Sequence, residues 1–536
     1  MNRRLFLRSS IAGSLALSAA GCSRSLQNGG ERSAAEAKPF ELDELTFSQL
    51  REGLESGQYT SKSLVEMYLR RIGEVDAGGP AVNSVLEVNP DALPIAEEMD
   101  RERAAGRVRG PLHGLPVMIK DNIDTADRMA TSAGSLALAE THAPQDSGVA
   151  AALRKAGAVI LAKTNLSEWA NFRSNRSTSG WSGRGGQTRN PYALDRNPCG
   201  SSSGSGAAVS ANLCAAAIGT ETNGSIMCPS TINGIVGIKP TVGLVSRSGI
   251  IPISHSQDTA GPMTRTMADA AILLGALTGV DPRDEATRSS EGRSFTDYTQ
   301  FLDPNGLRGV RIGVARSHWH RNPRVAKLAE NAVAAMKEGG AEIIDPVDLP
   351  NREFGGATFE VLLYEFKDGL NRYLASSAAP VKTLAGLIDF NERNADKEMP
   401  YFGQETFLLA EEKGPLTDKA YQAALAICRR LSREQGIDKA MDEHRLDALV
   451  APTGGPAWFT DLANGDHSGG GSSTPAAVSG YPNVTVPMGF AYGLPVGISF
   501  FGRAWSEPTL IKAAYAFEQM TKHRRPPKFL PTADLA

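Results

Sequence analysis

Cysteine is scarce. Cys22, Cys199, Cys214, Cys228 and Cys428, spread over 536 residues, are too few and too scattered for a disulfide framework. Histidine is scarce too, and none of the eight present pairs with a serine in a spacing that supports a Ser–His nucleophile. His318 and His320 share one face if extended, but an isolated pair belongs more often to a surface than to a metal site. No other zinc-type cluster stands in the sequence, so no metal and no cofactor are expected. A strong charge of either sign is also missing. The formal net charge of −3 supplies no basic field to neutralise a phosphate backbone, so no nucleic-acid partner is expected. No apolar run reaches the roughly 20 residues that cross a bilayer; the longest, Ile11 to Gly21, lies at the extreme N-terminus. What remains is ordinary. With 41% apolar and 21% charged residues, the chain is globular and neither disordered nor fibrous.

The first residues read as an address. Met1 to Ser10 carries Arg3, Arg4 and Arg8 and no acid, and an Ala-, Ser- and Leu-rich run follows to Gly21. This is the layout of a signal peptide over residues 1–21. Arg3-Arg4-Leu5-Phe6-Leu7-Arg8 resembles the twin-arginine export signal. Leu17-Ser18-Ala19-Ala20-Gly21-Cys22 resembles a lipoprotein cleavage box, with Ala19 where that box usually carries Leu. An exported protein is expected, periplasmic or held at a membrane only through a lipid on Cys22. Removing the segment takes three positive charges from −3 and leaves the mature chain at −6. Residues 22–40 read as a polar tether.

The body alternates helical and strand patterns. Thr60 to Asp76 has the apolar spacing of an amphipathic helix, with Ser63 and Glu66 at capping-box separation. Pro116 to Ile119 reads as a strand that delivers Lys120 at its C-terminal end. Val149 to Ala156 reads as a helix closed by Gly157, and Ala158 to Leu161 as the next strand. Ile312–Val314, Ala448–Val450 and Val484–Val486 add later strands. The alternation points to an α/β fold with crossover helices. Ser468 to Ser473 reads as a flexible loop. Residues 280–440, rich in helical patterns and without catalytic signatures, read as a variable substrate-side region.

Three segments carry chemistry. Cys199-Gly200-Ser201-Ser202-Ser203-Gly204-Ser205-Gly206 has the composition of a linker, yet it runs straight into the apolar stretch Ala207 to Ile218. Its glycines permit tight backbone approach. A phosphate loop is disfavoured because Gly-Lys-[Ser/Thr] is missing. Gly219-Thr220-Glu221-Thr222-Asn223-Gly224-Ser225-Ile226 reads as a turn after a strand, with a helix beginning just beyond Ser225. A serine there gathers free N–H groups, and it equally suits a plain N-cap. In Gly114-Leu115-Pro116-Val117-Met118-Ile119-Lys120-Asp121-Asn122 the lysine suits a solvated rim; buried, its pKa would fall from about 10.4 toward neutrality and make it a general base.

Together, and in this order, the three segments resemble the amidase signature family. Lys163–Ala170, Gly237–Thr241, Asp258 through Pro262 and Gly493–Gly497 match further family segments, so the resemblance covers most of residues 41–536. Residues 189–205 and 220–229 are most similar to the family's bacterial peptide amidases, which remove the amide from the C-terminus of amidated peptides. Cys199, Glu221, Asn223 and Met227 depart from the common Gly, Asp, Gly and Arg. The resemblance implies one large mixed β-sheet covered by helices on both faces. It implies a Ser–Ser–Lys triad with Ser225 as nucleophile, Ser201 as bridge and Lys120 as base. It also implies a cis Gly200–Ser201 peptide and an oxyanion hole from the backbone N–H groups of Thr222, Asn223, Gly224 and Ser225. The expected reaction is hydrolysis of a carboxylic amide to carboxylate and ammonia through an acyl-enzyme, on a small-molecule or peptide amide. Alternatives are a general aliphatic or aryl amidase, a relative of the amidase component of glutamyl-tRNA amidotransferase, and a non-catalytic binding lipoprotein on the same scaffold. Export and an acidic mature chain speak against the tRNA-dependent alternative.

Overall fold

A computed structural model of the chain describes residues 38–350 and 354–535. The signal segment, Cys22 and all but the end of the tether lie outside the described residues. Eleven strands form one mixed sheet. In chain order the strands are β1 (Val85–Val88), β2 (Pro116–Lys120), β3 (Val159–Thr164), a two-residue ribbon β4 and β5 (Trp181–Ser182, Gly186–Gln187), β6 (Ala216–Glu221), β7 (Val236–Lys239) and β8 (Thr259–Thr264). They continue with β9 (Arg311–Val314), β10 (Glu342–Ile344), β11 (Ala448–Pro452), β12 (Asn483–Ala491) and β13 (Leu494–Phe501). Leaving out the ribbon, the sheet runs β1-β3-β2-β6-β8-β7-β12-β13-β11-β9-β10. β2 pairs in parallel with β3 and β6, while β6, β8, β7, β12, β13 and β11 pair antiparallel.

Burial explains the layers. Every residue of β2, β3, β6, β7, β8, β11 and β13 is buried, which requires cover on both faces of the sheet. Helix 507–521 packs on helices 267–277 and 323–338, all three pack on the sheet, and helices 203–210 and 227–232 form a second packed pair. The serine–glycine run is therefore no linker. Ser203–Ser210 is a wholly buried helix, and a Cβ on Gly204 would sit 2.3 Å from the Ser84 carbonyl oxygen and 2.4 Å from that of Asn165. Only glycine permits that approach.

Several local expectations shift. The helix expected over Thr60–Asp76 is Ser61–Arg71, extended by a π-helical turn over Ile72–Asp76. Its capping box is Thr60 with Ser63, one turn earlier than the Ser63–Glu66 spacing suggests, because the Thr60 and Ser63 hydroxyls reach each other's N–H groups at 2.9 and 3.0 Å. Gly157 closes the helix Gly148–Lys155 as expected, with φ at +81°. Within residues 280–440 the expected strand at Ile312–Val314 is β9, and β10, which was not expected, forms the sheet edge beyond it. The helices Gly355–Ser376, Leu384–Arg393 and Glu405–Glu411 build a second apolar cluster around Leu363, Phe366, Phe407 and Trp169.

Candidate active site

The strand β2 ends on Lys120, and cover on both faces leaves this side chain with no exposed surface. Its Nζ lies 2.8 Å from Ser201 Oγ, 2.8 Å from Thr220 Oγ1 and 3.2 Å from the Thr220 carbonyl oxygen. Burial pulls its pKa down to about 7, and the charges of Asp258 and Glu221 only partly oppose that. A neutral amine has two N–H groups and one lone pair. With the N–H groups directed to the two Thr220 oxygens, the lone pair is left for the Ser201 hydroxyl.

Burial alone does not single out this lysine. Lys163 and Lys239 are equally buried, and burial lowers the pKa of both, that of Lys239 to about 8. Lys239 donates to the carbonyls of Tyr481 at 2.6 Å and Pro240 at 3.2 Å, and Lys163 donates to Thr131 Oγ1 at 2.9 Å and to the Ile123 carbonyl. Among the three, Lys120 reaches a serine.

Ser201 sits between the cis Gly200–Ser201 peptide and the buried helix that begins at Ser203. Its neighbour Ser202 ties this loop to the turn that carries Ser225. The Ser202 N–H donates to the Ser225 carbonyl at 3.1 Å, and its hydroxyl donates to the Thr220 carbonyl at 3.0 Å. The loop and the turn thus hold each other by backbone and side chain.

The turn after β6 is shaped by Gly224, whose φ of +84° lies in the left-handed region that favours glycine. The helix expected after Ser225 is Met227–Ile232. Glu221 Oε2 accepts the N–H groups of Ile226 at 2.7 Å and Met227 at 3.0 Å. The N–H groups of Asn223, Gly224 and Ser225 donate to no acceptor among the described residues, which leaves them available to a developing oxyanion. The Thr222 hydroxyl donates to Asp258 at 2.5 Å, and Asp258 accepts the N–H groups of Ile253 and Ser254. Ser225 keeps 8% of its surface exposed, while Lys120 and Ser201 have none. Of the three, Ser225 is the one open to solvent.

Two cavities flank this turn. One of about 250 Å³ is lined by Asn122, Thr220, Thr222, Ile251, Asp258 and Tyr373 among others. The other, of about 230 Å³, is lined by Gly200, Asn223, Gly224, Met227, Trp458 and the glycine-rich segment 469–471. Asn223 bridges the turn to that segment's end, accepting the Ser473 hydroxyl at 2.8 Å and donating to Thr474 Oγ1 at 3.2 Å.

Cysteine content is a poor guide at one point. Cys199 and Cys228 form a disulfide, with Cα atoms 5.9 Å apart. There is no framework, since Cys214 and Cys428 are free and buried, but this cross-link joins the Ser201 loop to the helix after Ser225. A count of cysteines overlooks a pair that folding brings together.

Comparison with known proteins identifies the lineage. The family model for Amidase matches residues 63–511. The chain belongs to the amidase family. This amidase is 53% identical, with a TM-score of 0.88, to the native peptide amidase of Stenotrophomonas maltophilia, over 92% of this chain and all of that one. A peptide amidase in complex with the competitive inhibitor chymostatin superposes with a TM-score of 0.89 at 53% identity, covering 91% of this chain and 100% of the other. An Arabidopsis thaliana protein named "Probable amidase" is 44% identical over 502 residues, 92% of this chain and 93% of its own length. This amidase is thus a hydrolase acting on amide C–N bonds, with the large mixed sheet of the amidase signature fold.

The structure brings Lys120 and Ser201 into contact and joins the segments of Ser201 and Ser225 through Ser202. It adds partners that the motif left anonymous. Thr220 receives both Lys120 and, at 3.1 Å, Asn122 Nδ2. The four departures from the family pattern acquire local roles: Glu221 caps the helix, Met227 is buried in its first turn, Asn223 holds the 473–474 segment and Cys199 is cross-linked. Their proximity to the serines in sequence was the signal available for them.

Proposed function

We propose that this amidase hydrolyses the C-terminal amide of peptides, releasing ammonia through an acyl-enzyme on Ser225. The observation that carries the reading is the contact of a fully buried, near-neutral Lys120 with Ser201. Neutral Lys120 takes the Ser201 proton as Ser201 takes that of Ser225, whose oxygen attacks the amide carbon. Negative charge on the carbonyl oxygen is met by the N–H groups of Thr222, Asn223, Gly224 and Ser225; losing one such donor typically costs about 3–4 kcal/mol of transition-state stabilisation. The proton returns through the same relay to the departing nitrogen, and water then releases the carboxylate by the same base. No histidine takes part.

The peptide substrate is supported by 53% identity to a peptide amidase over nine-tenths of the chain. Assay of ammonia release from C-terminally amidated dipeptides, small aliphatic amides and aryl amides is expected to give kcat/KM at least about tenfold higher on the peptide amides, the effect of about 1.4 kcal/mol of added transition-state binding. Equal or faster turnover of the small amides would replace the peptide reading with that of a general amidase.

We also propose that the enzyme is exported. The Arg3 to Arg8 pattern supports this, as does the Cys199–Cys228 disulfide, because such cross-links persist in oxidising compartments. Replacing Arg3 and Arg4 by Lys is expected to leave the chain in the cytosolic fraction; undiminished export of that variant contradicts a twin-arginine route.

A further inference from the structure

The relay makes no use of the cross-link beside it. Cys199 directly precedes the Gly200–Ser201 peptide, and Cys228 lies in the first turn of the helix that follows Ser225. The bond closes a loop with a sequence separation of 29 that contains both serines. The φ of Cys199 is +56°. A residue with a Cβ adopts that left-handed conformation only when its surroundings hold it there. The disulfide holds Cys199 from one side, and the Cys199 N–H, donating to Asn197 Oδ1 at 2.7 Å, holds it from the other. Without the covalent hold, the backbone at Cys199 is free to leave the left-handed region and carry Gly200 and Ser201 with it. Ser201 would then shift against Lys120 and Ser225, and a displacement of about 1 Å in a catalytic group costs on the order of 100-fold in rate.

The bond is also reachable. Both cysteines line the cavity of about 230 Å³ that Asn223 and Gly224 share. Cys199 is 6% exposed, while Cys228 is half-buried and the more exposed residue of the two.

We propose that Cys199–Cys228 is a thiol–disulfide exchange site that gates this amidase, the oxidised form being the active one. A thiolate of a small dithiol reductant attacks Cys228 Sγ, forming a mixed disulfide and releasing the Cys199 thiolate. The second thiol of the reductant then displaces the Cys228 sulfur. Two electrons and two protons pass to the protein, which ends with two thiols, and the reductant ends as its own disulfide. In a reducing compartment the chain is a weak amidase, and oxidation completes it.

The proposal rests on the reading of Ser201 and Ser225 as relay members, and the test separates the two, since failure of that reading leaves the oxidised enzyme inactive as well. Full-length oxidised enzyme is assayed on a peptide amide before and after native incubation with dithiothreitol, with thiols counted by mass spectrometry and folding followed by circular dichroism. The expected result is a fall in kcat of about 10- to 100-fold with KM changed less than about twofold, reversed on reoxidation. A Cys199→Gly/Cys228→Ala variant, in which glycine suits the left-handed position, is expected to show no response to the reductant. Unchanged kcat in folded, reduced enzyme overturns the proposal. So does a loss that appears only with unfolding, or an equal response to reductant in the double variant.

Discussion

Ser225→Ala is expected to lose amide turnover by on the order of 10⁶-fold, the loss seen when the nucleophile of a serine hydrolase is removed. The effect is large because nothing nearby can replace it. Ser201 is wholly buried, and its hydroxyl is already engaged with Lys120. Ser202 is also buried, with its hydroxyl donated to the Thr220 carbonyl. The fold is expected to survive, with stability changed by about 1 kcal/mol or less, since one oxygen is removed from a side chain that still touches solvent. Steady-state ammonia release together with a thermal melt checks both halves. Turnover within tenfold of the parent in a folded variant would remove Ser225 from the mechanism.

The second large effect concerns the relay. Lys120→Met and Ser201→Ala are each expected to lower kcat by about 10³- to 10⁴-fold, and the double variant by hardly more than either alone. Removing either member breaks the same path for the proton, so the second substitution finds little left to lose. Methionine keeps most of the volume of Lys120 without its nitrogen. The Thr220 oxygens retain other donors, the Ser202 hydroxyl at 3.0 Å for the carbonyl and Asn122 Nδ2 at 3.1 Å for Oγ1, so Lys120→Met leaves no buried acceptor stranded. Losses that multiply in the double variant would show two independent contributions and no shared relay.

Much of this was legible in the sequence because the informative residues are clustered. The apolar run before Lys120 reads as a strand, but whether the lysine at its end lies on a solvated rim or is buried is settled only by the cover on both faces of the sheet. The serine–glycine run gave itself away by continuing into small apolar residues, which is the pattern of a helix pressed against neighbouring backbone at Gly204. Partnerships that depend on tertiary closure were not legible. Thr220 is an unremarkable strand residue until β6 pairs beside β2 and its two oxygens meet Lys120. Cys199 and Cys228 look like two unrelated cysteines until the loop and the helix that carry them fold together. The strand β9 was legible as the apolar run Ile312–Val314, but β10, a three-residue edge strand with no buried residue inside a region dominated by helical periodicity, was not. Lys163 and Lys239 show the converse limit: burial lowers their pKa as it does that of Lys120, and only geometry tells apart the lysine that reaches a serine.

Activation of Ser225 by a neutral Lys120, passed through Ser201, is the step on which the proposed chemistry depends. The measurement that tests it most directly is the rate of covalent labelling by a fluorophosphonate across pH, with the modified residue located by peptide mass spectrometry. The base acts in its unprotonated form, and the pKa of Lys120 lies at about 7. Labelling is therefore expected on Ser225 alone, slow under acidic conditions and rising to a plateau as pH passes through that value. An adduct on another residue, or a rate on Ser225 that ignores pH across this range, would contradict it.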